Sequence, residues 1–171
     1  MGYRRIHLIG MMLLAAWGGG LFFSPQGGNA AEVTSRLQEM EVLGVAEDPT
    51  SGQLVVFLRG KANRRDLTMY IGPFEAQSIS IPLQRLRPPR PLTHDLMLSL
   101  LTHLNATLTR VVITEIKDNA YLANIYLKGG SGEVAVDSRP SDAIALALRA
   151  HVPILADERV LTESSGKEET F

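Results

Sequence analysis

Three short stretches concentrate the residue types that can do chemistry. Arg90-Pro91-Leu92-Thr93-His94-Asp95 brings a guanidinium, an imidazole and a carboxylate together, and Asp137-Ser138-Arg139-Pro140-Ser141-Asp142 brings together two carboxylates, a guanidinium and two hydroxyls. Gly72-Pro73-Phe74-Glu75-Ala76 adds one acid. His94 is the histidine set among charged groups, and an imidazole there can take a proton from water or give one to a leaving oxygen. Asp95, Asp137, Asp142 and Glu75 are hard oxygen donors of the kind Mg²⁺ or Mn²⁺ accepts, as used in hydrolysis of phosphodiesters. Arg90 and Arg139 flank these acids, and a guanidinium grips phosphate with two prongs as readily as it grips a carboxylate.

Each reading has a plain structural counterpart. Carboxylates are favoured at helix starts by the helix dipole, which accounts for the same four acids without a metal. Thr93, Ser138 and Ser141 are most simply helix caps. His94 can be a buried histidine bonded to a carboxylate, and Arg90 and Arg139 can belong to an Arg–Asp network tying helix starts together. His103 and His151 read as surface or helix-end residues. The chain has no nucleophile elbow, no phosphate-loop glycine pattern and no zinc-binding His/Glu pair.

The elements that must position these residues follow from the flanking sequence. Pro140 suits a first helical turn, and the apolar run Ala143–Leu148 behind it predicts a helix ending near His151. Thr93–Leu104 predicts a second helix, closed by Asn105 in the left-handed conformation. Pro73 and Glu75 start a third, expected to kink or break near Ser78–Pro82, where two β-branched residues and two serines precede a proline. Two helix starts therefore hold most of the unusual polar groups, and a fold that joins them makes one site.

Between the helices, β-favourable segments alternate with turns. Glu39–Val45 and Leu54–Arg59 read as a hairpin around Asp48-Pro49-Thr50-Ser51-Gly52, and Leu67–Ile71 as a third strand. Thr107–Ile116 and Tyr121–Lys128 read as a second hairpin, followed by Glu133–Val136, with Pro153–Leu155 as a short strand or edge segment. Runs of strands followed by helices predict an α+β fold: one compact domain with an antiparallel or mixed sheet of about six strands and three main helices.

The chain has 171 residues and no cysteine, so neither disulfides nor thiolate metal sites enter the argument. Seventeen Lys and Arg against 18 Asp and Glu is not the balance of a strongly basic nucleic-acid-binding domain, although bases bunch at Arg59–Arg65 and Arg85–Arg90. Arg4, Arg5 and His7 precede the apolar run Leu8–Phe23 and the small residues Gly28-Asn29-Ala30-Ala31. Residues 1–31 are expected to be a signal peptide and the protein periplasmic or secreted. An uncleaved anchor is the alternative, against which Gly18-Gly19-Gly20 interrupts the run, and no stable transmembrane segment is expected in the mature chain. Residues 32–161 are the expected domain and 162–171 an acidic flexible tail.

Ile71–Ala76, Arg90–Leu96 and Asp137–Ala147 resemble, in order and spacing, the bifunctional nuclease domain family, and the likeness extends over about Met40 to Leu161. The resemblance implies a compact, self-associating α+β domain with nuclease activity on RNA and DNA. The expectation is an exported, divalent-metal-dependent nuclease of broad specificity. His94 would be acid or base, Asp95, Asp137 and Asp142 with Glu75 would hold the ion, and Arg90 and Arg139 would hold phosphate. The rival is a non-catalytic binding or assembly module whose polar clusters are structural.

Overall fold

The computed structural model describes residues 37–130 and 132–165. The expected signal peptide lies outside them. The strands are β1 (Leu37–Glu47), β2 (Leu54–Gly60), β3 (Asp66–Ile71), β4 (Thr107–Lys117), β5 (Ala120–Gly129), β6 (Gly132–Ser138) and β7 (Ile154–Asp157). The helices are α1 (Pro73–Leu83), α2 (Thr93–His103), α3 (Pro140–Ala150) and α4 (Glu158–Ser165). The expected α+β fold is found, with one more strand and one more helix. Because α4 runs to Ser165, regular structure passes the expected domain boundary at 161.

One sheet holds all seven strands in the order β3-β2-β1-β7-β4-β5-β6. Two antiparallel meanders, one from each half of the chain, meet on either side of β7. That strand pairs antiparallel with β1, Leu37 opposite Asp157, and parallel with β4, Val111 opposite Ile154. Pro153–Leu155 was expected as a short strand or edge segment; a short strand, β7, forms there and lies at the centre of the sheet rather than at its edge. Ile154 and Ala156 are buried there, which a four-residue strand achieves only by lying between neighbours.

One face of the sheet carries the core. Met40, Val56, Leu58, Leu67, Met69, Val111, Ile113, Ala123 and Ile125 pack with Ile79 of α1, Ala143–Ala147 of α3, and Val160 and Leu161 of α4. Alternation along each strand sends these residues to one side. Small alanines let α3 lie close against its neighbours.

The expected break in α1 does not occur. The helix runs unbroken from Pro73 through Ser78–Ile81 to Leu83, with Pro82 inside its last turn and Ile79 fully buried. Pro82 has no N–H, so the Ser78 carbonyl four residues earlier loses its helical donor. Arg149 Nη1 supplies one at 2.7 Å. The core holds Ile79 while a side chain from α3 satisfies the orphaned oxygen.

Candidate active site

The starts of α1, α2 and α3 converge. Arg139, the residue just before α3, donates from Nε to Asp142 Oδ2 at 2.7 Å, from Nη2 to Asp142 Oδ1 at 3.2 Å and from Nη1 to Glu75 Oε1 at 2.8 Å. His94 Nε2 lies 3.1 Å from Asp142 Oδ1. A continuous path therefore runs from Glu75 through Arg139 and Asp142 to His94, each helix contributing from its first turn.

Local sequence explains each placement. Gly72 ends β3's exit and gives Glu75 room to fold back over the start of α1, since a Cβ at Gly72 would sit 2.5 Å from Glu75 Oε2. Pro140 at the first position of α3 needs no hydrogen-bond partner and aims Asp142 into the first turn. His94 is 7% exposed, whereas the Arg139 side chain is 65% exposed, so the path runs from a sheltered imidazole to an open guanidinium.

The electrostatics are those of a neutralised network. Burial pushes the Asp142 carboxyl up, but hydrogen bonds from Arg139 and His94 outweigh it and hold the group below the usual aspartate value. Asp142 and Glu75 in turn push the Arg139 guanidinium up. An ionised Asp142 accepts only, so His94 Nε2 donates, and in the neutral ring Nδ1 carries the lone pair. The carboxylate thereby fixes the tautomer and leaves one ring nitrogen for proton transfer.

Several expected site residues stand elsewhere. Asp137 lies exposed on β6 opposite Asn124 and makes no hydrogen bond to the cluster. Arg90 is exposed in the connector between α1 and α2 and, among the described residues, has no partner in the cluster. Asp95 turns away: its Oδ2 accepts the Leu92 N–H at 2.9 Å and its Oδ1 the Arg149 Nε at 3.0 Å. Among the described residues no three His, Cys, Asp or Glu side chains come together as an ion-binding group. Glu75 and Asp142 share one guanidinium and Asp95 has another, so the four acids expected to hold an ion do not fit a ready divalent site.

The three expected caps are also corrected. Leu92, not Thr93, precedes α2, and Asp95 does the capping by accepting its N–H, which leaves Thr93 exposed in the first turn. Arg139 occupies the corresponding position before α3 without a side-chain cap. Ser138 Oγ donates to the Arg139 carbonyl at 3.0 Å, and Ser141 is buried in the first turn without acting as the cap.

Sequence reasoning missed Arg149. Its side chain is 7% exposed and it binds Asp95, the Ser78 carbonyl and the Ala145 carbonyl. The available signal was a proline in the last turn of an α1 that the core needs, which demands an outside donor for the carbonyl four residues back.

The chain is 36% identical over 126 residues to an uncharacterized protein of Mycobacterium tuberculosis (strain ATCC 25618 / H37Rv), covering 74% of this chain and 75% of that one. It is 34% identical over 100 residues to bifunctional nuclease 1 of Oryza sativa subsp. japonica and to the bifunctional nuclease of Oryza minuta. Those matches cover 56% of this chain and 30% of each rice protein, so both rice proteins are much longer than the part they share with it. The bifunctional nuclease domain model matches residues 56–169, a span that takes in Glu75, His94, Arg139, Asp142 and Arg149. With all three helix starts inside that span, the chain belongs to the bifunctional nuclease domain family.

Proposed function

We propose that this protein hydrolyses phosphodiester bonds of RNA or DNA, with His94 handling the proton and Arg139 facing the phosphate. The observation that carries the reading is the unbroken path Glu75–Arg139–Asp142–His94, sheltered at the imidazole and open at the guanidinium. Asp142 orients the ring through Nε2, Nδ1 takes the proton of the water that attacks phosphorus, the P–O bond to the leaving oxygen breaks as that oxygen takes a proton from the imidazolium or from solvent, and the exposed face of Arg139 meets the negative oxygens of the phosphate. Groups of this kind read phosphate rather than base edges, which supports broad specificity.

The test is cleavage of labelled RNA and DNA oligonucleotides by the mature chain, with and without Mg²⁺ or Mn²⁺. His94→Ala is expected to stay folded and lose roughly 100-fold in rate, the usual scale for a lost acid or base. A folded His94→Ala protein with full activity removes His94 from the mechanism. A folded wild type that cleaves nothing with any ion favours the assembly module. Glu75, Asp95 and Asp142 are already paired with guanidinium groups, so an ion held by them would mean that the network rearranges when substrate binds.

Two further expectations belong to the proposal. The basic and then apolar start of the chain supports export, and no helix among the described residues is long and apolar enough to cross a membrane. Leu96, Leu100 and Leu104 form a stripe along α2 and just beyond it, exposed by 53%, 53% and 74%. A single-helix stripe of like residues is self-complementary about a two-fold axis, which supports a second copy of this chain as its occupant.

A further inference from the structure

We propose that Arg149 is a positioning residue for His94, holding the start of α2 in the one placement at which the imidazole meets Asp142. The inference rests on the catalytic reading of His94 for its meaning but not for its test. His94 and Asp95 are consecutive on α2, and each is held by α3. Asp142 in the first turn of α3 takes His94, and Arg149 in the last turn takes Asp95. The Arg149 side chain reaches back along its own helix, as helical side chains do, and Nη1 donates to the Ala145 carbonyl at 2.9 Å on the way. The same Nη1 holds the Ser78 carbonyl at 2.7 Å, so one planar group ties the middle of α1 and the end of α3 to the beginning of α2.

Asp95 is fully committed by this arrangement, one oxygen to Arg149 and the other to the Leu92 N–H. It does not compete with Asp142 for the imidazole, and α2 is prevented from turning to offer it. The Arg149 guanidinium stabilises this joint through its bonds to Ser78 and Asp95, although its Nη2 is buried with no hydrogen-bond partner among the described residues. What an apolar side chain cannot do is fix three helices at set distances, since a guanidinium is a rigid fork of directional donors.

The full chain carrying Arg149→Lys, and separately Asp95→Asn, tests this. Lysine keeps the charge but replaces the fork with a single point, and asparagine keeps the shape of Asp95 while removing its charge. Circular dichroism establishes folding, imidazole ¹⁵N resonances report the His94 Nε2 hydrogen bond, and steady-state cleavage of an RNA oligonucleotide separates kcat from KM. Folded variants are expected to show an altered His94 signal and a kcat lower by about tenfold or more, with KM within about twofold, because misplacement of a catalytic group acts on the chemical step. A wild-type His94 signal, or an altered signal with wild-type kcat, overturns the proposal. If Arg149→Lys does not fold, Asp95→Asn decides alone. If the wild type cleaves no nucleic acid, the catalytic reading fails while the imidazole signal still decides whether Arg149 positions His94.

Discussion

Replacing Arg149 with methionine and Pro82 with alanine, singly and together, probes the joint between α1 and α3. Methionine fills most of the volume of the arginine stem, so the cavity contribution is small. What goes is the donor to Ser78, leaving a carbonyl unpaired at about 1–3 kcal/mol. Asp95 also loses its partner, but its side chain is 38% exposed and rehydrates, so that part is roughly 1 kcal/mol or less. The sum is about 1–4 kcal/mol, or a melting temperature lower by about 3–15 °C for a domain of this size. Alanine at position 82 restores an N–H that can reach Ser78 within the helix, so in that background only the Asp95 part should remain. The expected coupling is about 1–3 kcal/mol, measured by urea and thermal unfolding of the four proteins. A cost for Arg149→Met that is equal in both backgrounds within about 0.5 kcal/mol would refute the account of how α1 survives its proline.

The remaining predictions concern the site and the surface. The Asp142 carboxyl is held below its ordinary value, so the unfolded chain takes up that proton more readily; the stability it contributes is complete above about pH 4 and is lost as pH falls through the lower folded value. Asp142→Asn should therefore flatten the acid limb of stability below about pH 4, and an unchanged slope in thermal melts counts against the network. Arg139→Ala in a His94→Ala background should weaken oligonucleotide binding to all sequences alike and lower the salt slope by about one, read by fluorescence anisotropy; an unchanged slope removes Arg139 from the phosphate. Leu100→Glu should shift the protein toward monomer in light scattering, and an unchanged mass rules out that stripe as the self-association face.

The helix starts were legible in the sequence because Pro73 and Pro140 followed by Glu75 and Asp142 declare a first turn through covalent geometry and the helix dipole, which act locally. The pairing of Arg139 with Asp142 was legible for the same reason, being one turn along a single helix. That His94 would meet Asp142 was legible only as a condition, since it depends on α2 and α3 packing together. Asp137 was misjudged because it precedes the helix by just a few residues, yet a strand points it to the open side of the sheet. Arg149 was passed over because an arginine in a last turn is the ordinary complement to the helix dipole, and nothing local says that it is buried. Thr93 lost its expected role to Asp95 because a carboxylate in the first turn can reach back to the preceding N–H, leaving the cap position to Leu92.

The central place of β7 has a consequence for how the chain comes into being. Leu37 pairs with Asp157, so the longest sequence separation in the sheet sits at its middle rather than at its rim. Each meander can form from neighbouring strands as it leaves the ribosome, but their union waits for nearly the last residues of the domain, and such distant pairings are slow. Until then β1 offers an open edge, the feature through which half-made sheets join one another instead of themselves. Glu39 on β1 is paired with Lys61, and β7 brings the apolar Leu155 to the place opposite it, so no like charge opposes the closing strand. The strand that arrives last is also the one that this edge does not repel.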